Sequence, residues 1–373
     1  MLTFDKKMIA NLETPCLVID LEKTVKNIKD MQDICDANNV KLRPHIKTHK
    51  MVKFAKLQME HGACGISCAK LSEAEVMADA GIDDIFVAYP TVGKHRLLKA
   101  VALNRKVKRL ILGVDSFIQA QALSEMAKQE NMVFEIRMEI DTGANRCGVD
   151  VDGVVALAKE ISSLDNLKLT GIYTFKSLMY QGKATQEADL AADEEANLMK
   201  TVKSMIEAAG IGPLEISAGS TPTGIQLTKH SGIDEIRPGT YVFKDQMLVY
   251  EGVFPEEEIS ACVVATIVSI KNDGTIIVDG GSKAFCTDIG LNVAPYFYPG
   301  YAICEDRDYV LGRVNEEHGY LYTKSTTCKY KVGDQLIFYP IHICTTLNLY
   351  NEVYVFDGES FEKNKVDARG MVV

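Results

Sequence analysis

The sequence predicts an α/β protein in which a (β/α)₈ barrel is followed by a smaller, mostly β domain. From residue 17 to about residue 250, short apolar runs alternate with amphipathic stretches, and eight such repeats are the number that this barrel needs. After about residue 252 the runs are short, rich in β-branched and aromatic residues, and not separated by long helical patterns. A chain of 373 residues also exceeds one ordinary compact domain.

The barrel strands are predicted where the apolar runs fall, and the helices lie between them. The predicted strands are residues 40–47, 63–68, 84–89, 109–114, 133–141, 168–174, 214–218 and 234–238. Helical periodicity marks residues 72–80, 117–129, 154–162 and 187–209. A doubly wound sheet is the main alternative, but no Gly-x-Gly-x-x-Gly motif follows an early strand.

The β domain is predicted from its strand runs and one turn. The runs are residues 261–270, 275–278, 309–314 and 335–339, and Asn272-Asp273-Gly274 is a hairpin signal between the first two. We therefore predict a barrel domain over residues 1–252 and a β domain over residues 253–373. Whether the first 15 residues join the β domain is left open.

Composition and charge argue against several classes of partner. The formal net charge is −10, so neither nucleic acid nor an anionic membrane surface is expected as the main partner. No segment has about 18 consecutive apolar residues, and the first residues have no apolar secretory core. We expect a cytoplasmic protein that acts on a small molecule.

Residues 43–50, Arg-Pro-His-Ile-Lys-Thr-His-Lys, form the most informative segment, because five of the eight positions can carry positive charge. The segment closes the first predicted barrel strand, and active sites of such barrels lie at the carboxyl ends of the strands. Cations crowded around one amine lower its pKa, and a lysine tuned in this way can bond covalently to a carbonyl cofactor. Lys47 is the candidate. A basic, solvated strand end is the alternative.

Further polar residues follow other predicted strands. Arg146 follows the fifth strand, and Tyr173 ends the sixth. Ser217-Ala218-Gly219-Ser220-Thr221 follows the seventh, and Arg237-Pro238-Gly239-Thr240 follows the eighth. Loops after the last two strands often hold phosphate through open backbone N–H groups. A reactive lysine and a phosphate cradle at one barrel end indicate pyridoxal phosphate. Taken singly, these segments could be a helix N-cap, a turn and a surface ion-pair partner.

His342 and Cys344 form a second candidate site, in the predicted β domain. If the segment is an extended strand, its alternation places both side chains on one face. Imidazole and thiolate together are typical of a zinc site, and two protein ligands would leave positions open for water or substrate. The alternative is a buried cysteine beside a hydrogen-bonded histidine.

The same segments carry a resemblance that covers nearly the whole chain. They are residues 14–21, 43–50, 68–75, 141–148, 237–241, 279–283 and 342–344. With them, the chain resembles the pyridoxal-phosphate enzymes of the alanine-racemase fold (fold type III), and within it the D-serine dehydratase/D-threonine aldolase group.

The resemblance implies a role for each candidate residue. Lys47 looks like the Schiff-base lysine, Arg146 like the contact of the cofactor's phenolic oxygen, and Tyr173 like a neighbour of the cofactor ring, at or near the pyridine nitrogen. The residues that look like the phosphate cradle are Ser220, Thr221, Gly239 and Thr240. His342 and Cys344 look like ligands of a catalytic Zn²⁺ or another divalent metal. A homodimer is expected by the same resemblance.

The implied activity is β-elimination from a D-3-hydroxy amino acid such as D-serine, which gives a 2-keto acid and ammonia. The pair His342-x-Cys344 favours the dehydratases, because the aldolases of the group tend to carry His-x-Asp. Phe175 stands where members often have histidine, and it affects the substrate side more than the cofactor. Three alternatives remain: retro-aldol cleavage to glycine and an aldehyde, racemisation, and non-catalytic pyridoxal-phosphate binding.

Overall fold

The structure, a computed structural model, describes residues 2–323 and 328–373 and divides into two compact units. We call Lys29–Lys47, Met51–Gly239 and Gly370–Val373 the barrel unit. Met1–Ile28, Thr48–Lys50 and Thr240–Arg369 form the β unit. The predicted domain boundary at residues 252 and 253 stays a prediction.

The strands follow one another along the chain as short apolar segments. They are β1 Cys16–Asp20, β2 Lys41–Leu42, β3 Ile66–Cys68, β4 Asp84–Pro90, β5 Arg109–Val114, β6 Phe134–Glu139, β7 Leu167–Tyr173, β8 Met179–Tyr180, β9 Lys183–Ala184, β10 Glu215–Ala218, β11 Glu235–Ile236, β12 Ala261–Ile270, β13 Ile276–Val278, β14 Ala302–Cys304, β15 Tyr309–Val314, β16 Gly319–Thr323, β17 Gln335–Pro340, β18 Glu352–Phe356 and β19 Phe361–Lys365.

The longer helices alternate with the barrel strands. The helices are α1 Lys6–Ile9, α2 Leu21–Ala37, α3 Val52–Glu60, α4 Leu71–Asp79, α5 Lys94–Lys106, α6 Phe117–Gln129, α7 Val154–Ser162, α8 Ala188–Ala208, α9 Thr221–Leu227, α10 Gln246–Tyr250 and α11 Ile343–Leu347. Short 3₁₀ helices cover Ile46–Thr48, Val151–Gly153, Thr240–Val242 and Glu256–Glu258. No helix within residues 2–323 and 328–373 is both long and apolar enough to cross a membrane.

The barrel unit contains eight parallel strands in the order β2-β11-β10-β7-β6-β5-β4-β3. The first and last members also meet, because His45, just after β2, forms a parallel bridge with Ser67 of β3. The backbone N–H of Ser67 donates to the Pro44 carbonyl at 2.8 Å. The sheet is therefore closed, and the predicted (β/α)₈ barrel is confirmed.

A buried ionic cluster fills part of the barrel interior. Arg43 and Arg137 donate to the two carboxylate oxygens of Glu235, each at 2.7 Å, and all three side chains are at most 1% exposed. Burial alone would raise the pKa of Glu235, but the two guanidinium charges hold it well below its ordinary value. The charge of Arg43 is therefore paired inside the barrel, and it does not add to the predicted crowding of cations around Lys47.

The β unit closes a second, antiparallel barrel. Its sheet runs β13-β16-β15-β14-β17-β12-β1-β18-β19, and a further pairing of β13 with β12 closes six of these strands. β12 and β13 form the predicted hairpin, in which the N–H of Gly274 donates to the Lys271 carbonyl at 2.9 Å and Gly274 has a φ of +85°. β1 extends the barrel sheet, antiparallel to β12 and parallel to β18. The predicted β architecture of this part of the chain is confirmed.

Candidate active site

A pocket of about 220 Å³ opens at the carboxyl ends of the barrel strands. Its walls come from the ends of β2, β3, β4, β6, β7 and β11 and from the loop after β6, so it lies where barrels of this type carry their active sites. The lining residues are His45, Lys47, Ala69, Lys70, Ala88, Tyr89, Pro90, Glu139, Arg146, Cys147, Tyr173, Phe175 and Arg237. Three predicted site residues, Lys47, Arg146 and Tyr173, are therefore brought together.

The Phe175 ring lies beside two cations of this pocket. The Lys47 ammonium is 5.7 Å from the ring centroid, and the Arg146 guanidinium carbon is 4.2 Å from it. The negative face of an aromatic ring attracts such cations. The Phe175 ring therefore lies within cation–π distance of both predicted cofactor residues.

Tyr173 is buried, and its hydroxyl donates to Glu139 at 2.8 Å. Burial raises the pKa of Glu139, although the Tyr173 hydrogen bond and the charges of Arg146 and Arg237 oppose this shift. Burial and the neighbouring Glu139 also raise the pKa of Tyr173 well above its ordinary value. The phenol therefore stays protonated, as a hydrogen-bond donor.

Arg237 is a pocket residue that the sequence placed in the predicted phosphate-binding segment after the eighth strand, with an ordinary turn as the alternative. Its Nε donates to Ser217 Oγ at 2.9 Å, one terminal nitrogen donates to the Thr174 carbonyl, and the guanidinium carbon is 5.3 Å from the centroid of the Tyr173 ring. Glu139 also lines the pocket and was not among the predicted site residues. Glu139 ends β6 and Arg237 directly follows β11, so a position at the end of a barrel strand was the available signal.

The predicted phosphate residues of the barrel unit lie close together, but they do not line this pocket. Ser220 is the N-cap residue of α9 and shares a capping box with Thr223. The N–H of Gly239 donates to Thr221 Oγ1 at 3.2 Å. The two loops after β10 and β11 therefore meet, as a cradle built from both would require.

Thr240, the fourth predicted phosphate residue, belongs to the β unit, and its side chain lies at the second candidate site. Its Oγ1 is 3.3 Å from Cys344 Sγ, and Thr48 Oγ1 is 3.2 Å from the same sulfur. Because the Thr240 hydroxyl lies at Cys344, the part of Thr240 that can contact a phosphate in the predicted cradle is its backbone.

The predicted extended strand at 342–344 is wrong. β17 ends at Pro340, His342 is the N-cap residue of α11, and Cys344 lies in the first turn of that helix. The reason lies in side-chain partners for the helix start: Asp245 accepts from the Ile343 N–H at 3.0 Å, and Thr346 Oγ1 donates to the His342 carbonyl at 2.8 Å. Cys344 nevertheless meets His342 through a side-chain hydrogen bond.

The charges of His342 and Cys344 depend on each other and on Asp288. Asp288 Oδ2 is 2.9 Å from His342 Nδ1. Burial lowers the pKa of His342, but Asp288 and Cys344 outweigh burial and raise it overall. Burial raises the pKa of Cys344, but the hydrogen bond and charge of His342 outweigh it and lower it overall. Each of the two groups therefore favours the charged form of the other.

These two side chains have the chemistry of metal ligands. Zinc binds thiolate and neutral imidazole, and metal-binding histidines usually donate their other N–H to a carboxylate, as His342 can to Asp288. In the described part of the chain, no group of three or more His, Cys, Asp or Glu side chains is arranged to hold a metal ion. The pair fits a metal bound by two protein ligands, with further positions left for water or substrate.

Two family models match the chain in sequence. The model described as "Alanine racemase, N-terminal domain" matches residues 19–247, and the one described as "Putative serine dehydratase domain" matches residues 260–356. The chain therefore belongs to the alanine racemase family, in its D-serine dehydratase and D-threonine aldolase group. The predicted class, a pyridoxal-phosphate-dependent lyase, is confirmed.

Curated relatives match over almost their full length. D-threo-3-hydroxyaspartate dehydratase of a Delftia species is 33% identical, with 91% of this chain and 92% of the relative covered. 3-Hydroxy-D-aspartate aldolase of Paracoccus denitrificans is 30% identical, with 97% and 93% covered. D-threonine aldolase of an Arthrobacter species is 29% identical, with 97% and 94% covered.

Solved structures share the fold closely. The Delftia D-threo-3-hydroxyaspartate dehydratase aligns with a TM-score of 0.88 at 31% identity, over 96% of this chain and 98% of that chain. D-threonine aldolase of Filomicrobium marinum aligns with a TM-score of 0.87 at 27% identity, over 98% and 97%. Two variants of the dehydratase are also similar, a histidine-to-alanine variant and a cysteine-to-alanine variant in the metal-free form; the replaced positions are two residues apart.

Proposed function

We propose that this protein eliminates water from a D-3-hydroxy amino acid, after which hydrolysis of the resulting enamine gives a 2-keto acid and ammonia, with pyridoxal phosphate and a divalent metal, preferably Zn²⁺, as cofactors. The observation that carries the proposal is the pocket at the barrel mouth where Lys47, Arg146 and Tyr173 meet. The pair His342 and Cys344 supports the metal and the choice of elimination.

The residues of the barrel mouth fit pyridoxal phosphate. The Lys47 amine would hold its aldehyde carbon, Arg146 would contact its phenolic oxygen, and Tyr173 would lie against its ring. Ser220, Thr221 and Gly239, with the backbone of Thr240, would hold the phosphate at the start of α9. When bound, the cofactor supplies an electron sink for the negative charge that develops at the substrate's α-carbon.

The proton transfers belong to side chains of this chain. Lys47 would take the α-proton, since its amine faces the same pocket as the other cofactor residues. The Tyr173 hydroxyl stays protonated and holds Glu139 in place. Arg146, stacked on Phe175, would donate hydrogen bonds to the phenolic oxygen of the cofactor and so keep the cofactor ring beside Lys47.

The metal would assist the poor leaving group. The β-hydroxyl leaves as hydroxide, and a Lewis acid held by His342 and Cys344 would stabilise that charge. The spacing of the two residues equals the spacing of the histidine and cysteine that were replaced in the two dehydratase variants. Asp288 would fix the imidazole so that its other nitrogen faces the metal.

Aldolase activity is the second candidate, because two of the relatives described above are aldolases at 30% and 29% identity. The same residues could then bind the β-hydroxyl while its proton is removed and the bond between α- and β-carbons breaks. Cys344 favours elimination, since aldolases of this group tend to carry aspartate at that position. The homodimer and the cytoplasmic location stay predictions.

Product analysis separates the two candidates. The holoenzyme is offered D-serine, D-threonine and 3-hydroxy-D-aspartate, with and without a chelator, and keto acid plus ammonia is measured against glycine plus aldehyde. We expect keto acid and ammonia, and a loss of turnover after chelation that zinc restores. Glycine as the main product would establish the aldolase instead, and turnover that survives thorough metal removal would exclude the metal from the proposal.

A further inference from the structure

Lys70 is a cation of the barrel-mouth pocket that the proposed reaction does not use. It is the N-cap residue of α4, directly after β3, and lines the same pocket as Lys47 and Arg146. Its ammonium lies 3.5 Å from the centroid of the Tyr89 ring, which comes from β4. The side chain is half-buried, and Tyr89 is 41% exposed, so the ammonium lies at the edge of the pocket.

The other charged groups of the pocket are already occupied by neighbours. The Arg237 guanidinium donates to Ser217 and Thr174, and Arg146 stacks on Phe175. The Glu139 carboxylate accepts from Tyr173. Arg237 and Glu139 are therefore held by hydrogen bonds, and Arg146 is assigned to the cofactor in the proposed function.

Among the residues that the structure describes, Lys70 has neither a hydrogen-bond partner like those of Arg237 and Glu139 nor a role in the proposed function like that of Arg146. Within residues 2–323 and 328–373 the Lys70 ammonium has no hydrogen bond and no carboxylate within ion-pair distance, and its contact is the Tyr89 ring. An ammonium held on an aromatic face keeps its three donors for another partner. Arg96 lines a small adjoining cavity with Lys70 and Tyr89, and Val373 lines it too. The donors of Lys70 therefore suit a second anionic group of a ligand.

We propose that Lys70 binds a distal carboxylate of the substrate, so that the preferred substrate is a dicarboxylic D-3-hydroxy amino acid such as 3-hydroxy-D-aspartate. The inference rests on the proposed function. If the amine and the α-carboxylate of the substrate lie at the cofactor, the distal carboxylate is the group left for Lys70. Lys70 is then a specificity-determining residue, and Tyr89 positions its ammonium. D-serine lacks the second carboxylate and leaves this ammonium without an anion.

Steady-state kinetics of Lys70→Met test the specificity. We expect the ratio of kcat/KM for 3-hydroxy-D-aspartate to that for D-serine to fall about 10- to 100-fold, the range for a lost hydrogen bond to a charged group. Lys70→Arg keeps the charge and should keep most of the ratio. Lys159→Met, at an exposed position on α7, is the matched control and should leave the ratio unchanged. An equal loss on both substrates would overturn the proposal.

A binding measurement keeps the test independent of elimination. D-aspartate has the distal carboxylate but no β-hydroxyl, and D-alanine has neither. Titration of the holoenzyme, followed by the absorbance of bound pyridoxal phosphate, should give tighter binding of D-aspartate, and Lys70→Met should abolish this preference. Equal affinities in the unmodified protein would overturn the role of Lys70. Failure of every 3-hydroxy amino acid to react, with the D-aspartate preference intact, would instead reject the proposed reaction.

Two variants of Tyr89 separate the ring from its hydroxyl. Tyr89→Phe keeps the aromatic face that holds the ammonium, so the preference for D-aspartate should persist. Tyr89→Leu removes that face and should reduce the preference several-fold while the absorbance of the bound cofactor stays the same. If both variants behave like the unmodified protein, the ring does not position Lys70.

Discussion

Lys47 is the residue on which the proposed chemistry depends most. Its ammonium lies in the barrel-mouth pocket, near the face of Phe175, and it would both hold the cofactor and move the α-proton. An amine with these two roles cannot be replaced by any neighbouring side chain without moving the site.

The variant Lys47→Ala should therefore lose covalently held cofactor and most activity. We expect turnover to fall about 10²- to 10⁴-fold, the range for a lost general base, and the yellow absorbance to disappear after dialysis. Lys159→Ala is the control, and thermal unfolding checks that both variants are folded. A Lys47→Ala protein that keeps colour and turnover would contradict the cofactor assignment.

Asp288 acts through His342. Its carboxylate lies 2.9 Å from His342 Nδ1 and also accepts from Thr345 Oγ1 at 3.0 Å, so it fixes the imidazole ring from one side. Without this carboxylate, the His342 imidazole would remain but would no longer be held in one orientation.

For Asp288→Ala we expect zinc affinity to fall about 10- to 100-fold, measured by competition with a chromophoric chelator. Asp308→Ala, at an exposed position of the same unit, should bind zinc like the unmodified protein. If zinc affinity were the same in all three proteins, the imidazole would not need this carboxylate to bind metal.

At the scale of elements, β5 is packed unusually close to the pocket wall. A Cβ added at Gly113, in β5, would lie 2.2 Å from the Tyr173 hydroxyl, a distance that real side chains do not tolerate. The glycine therefore makes room for the hydrogen bond between Tyr173 and Glu139.

Gly113→Ala should displace Tyr173 and destabilise the fold by about 1–3 kcal/mol, measured by urea unfolding. Weaker retention of pyridoxal phosphate should accompany this loss. Combination with Tyr173→Phe removes the oxygen that clashes, so the double variant should recover much of the stability. A double variant that is no more stable than Gly113→Ala alone would show that the strain lies elsewhere.

The sequence allowed most barrel elements to be predicted, because strands buried on both faces appear as short continuous apolar runs. It overestimated the first strand, since Pro44 has no N–H to continue the ladder and the chain turns into a 3₁₀ helix at Ile46–Thr48. It also missed α11, because the bonds from Asp245 and Thr346 that start this helix involve residues whose proximity the sequence does not reveal.

The sequence predicted part of the candidate site, because residues at the ends of barrel strands can be recognised from the strand pattern. Lys47, Arg146 and Tyr173 each end or follow a strand, and the closed barrel brings strand ends together. The same rule applies to Arg237, Glu139 and Lys70, but which of these side chains turns into the pocket depends on packing that the sequence does not show. Thr240 illustrates the opposite case, since its hydroxyl lies at Cys344.

At the scale of the whole barrel, Glu235 joins two cationic side chains from different strands. Arg43 also pairs with Asp84, and Arg137 also pairs with Glu215, so Glu235→Gln weakens the cluster without leaving either guanidinium unpaired. We expect it to destabilise the protein by about 1.5–3 kcal/mol in urea unfolding. Glu160→Gln, at an exposed position on α7, should change stability little. No measurable loss for Glu235→Gln would mean that Asp84 and Glu215 alone satisfy Arg43 and Arg137.

The lowered pKa of Glu235 predicts that the stability of the protein depends on pH. The pKa of Glu235 is lower in the folded protein than its ordinary value of 4.5. The contribution of its ionised carboxylate to the free energy of unfolding is therefore complete above pH 4.5, and it is lost as the pH falls from 4.5 through the pKa of the folded state. Urea unfolding between neutral and acid pH should show this loss in the unmodified protein and a smaller loss in Glu235→Gln. Parallel curves for the two proteins would contradict the assignment.

The position of β1 in the sheet has a consequence for biosynthesis. β1 ends at Asp20, yet its two neighbours in the sheet, β12 and β18, begin only at Ala261 and Glu352. During synthesis β1 therefore stays without its sheet partners until those later segments have been made, whereas neighbouring barrel strands can begin to pair as they emerge. An apolar strand without its sheet partners is prone to aggregate, so β1 is a segment that chaperones would need to shield during synthesis.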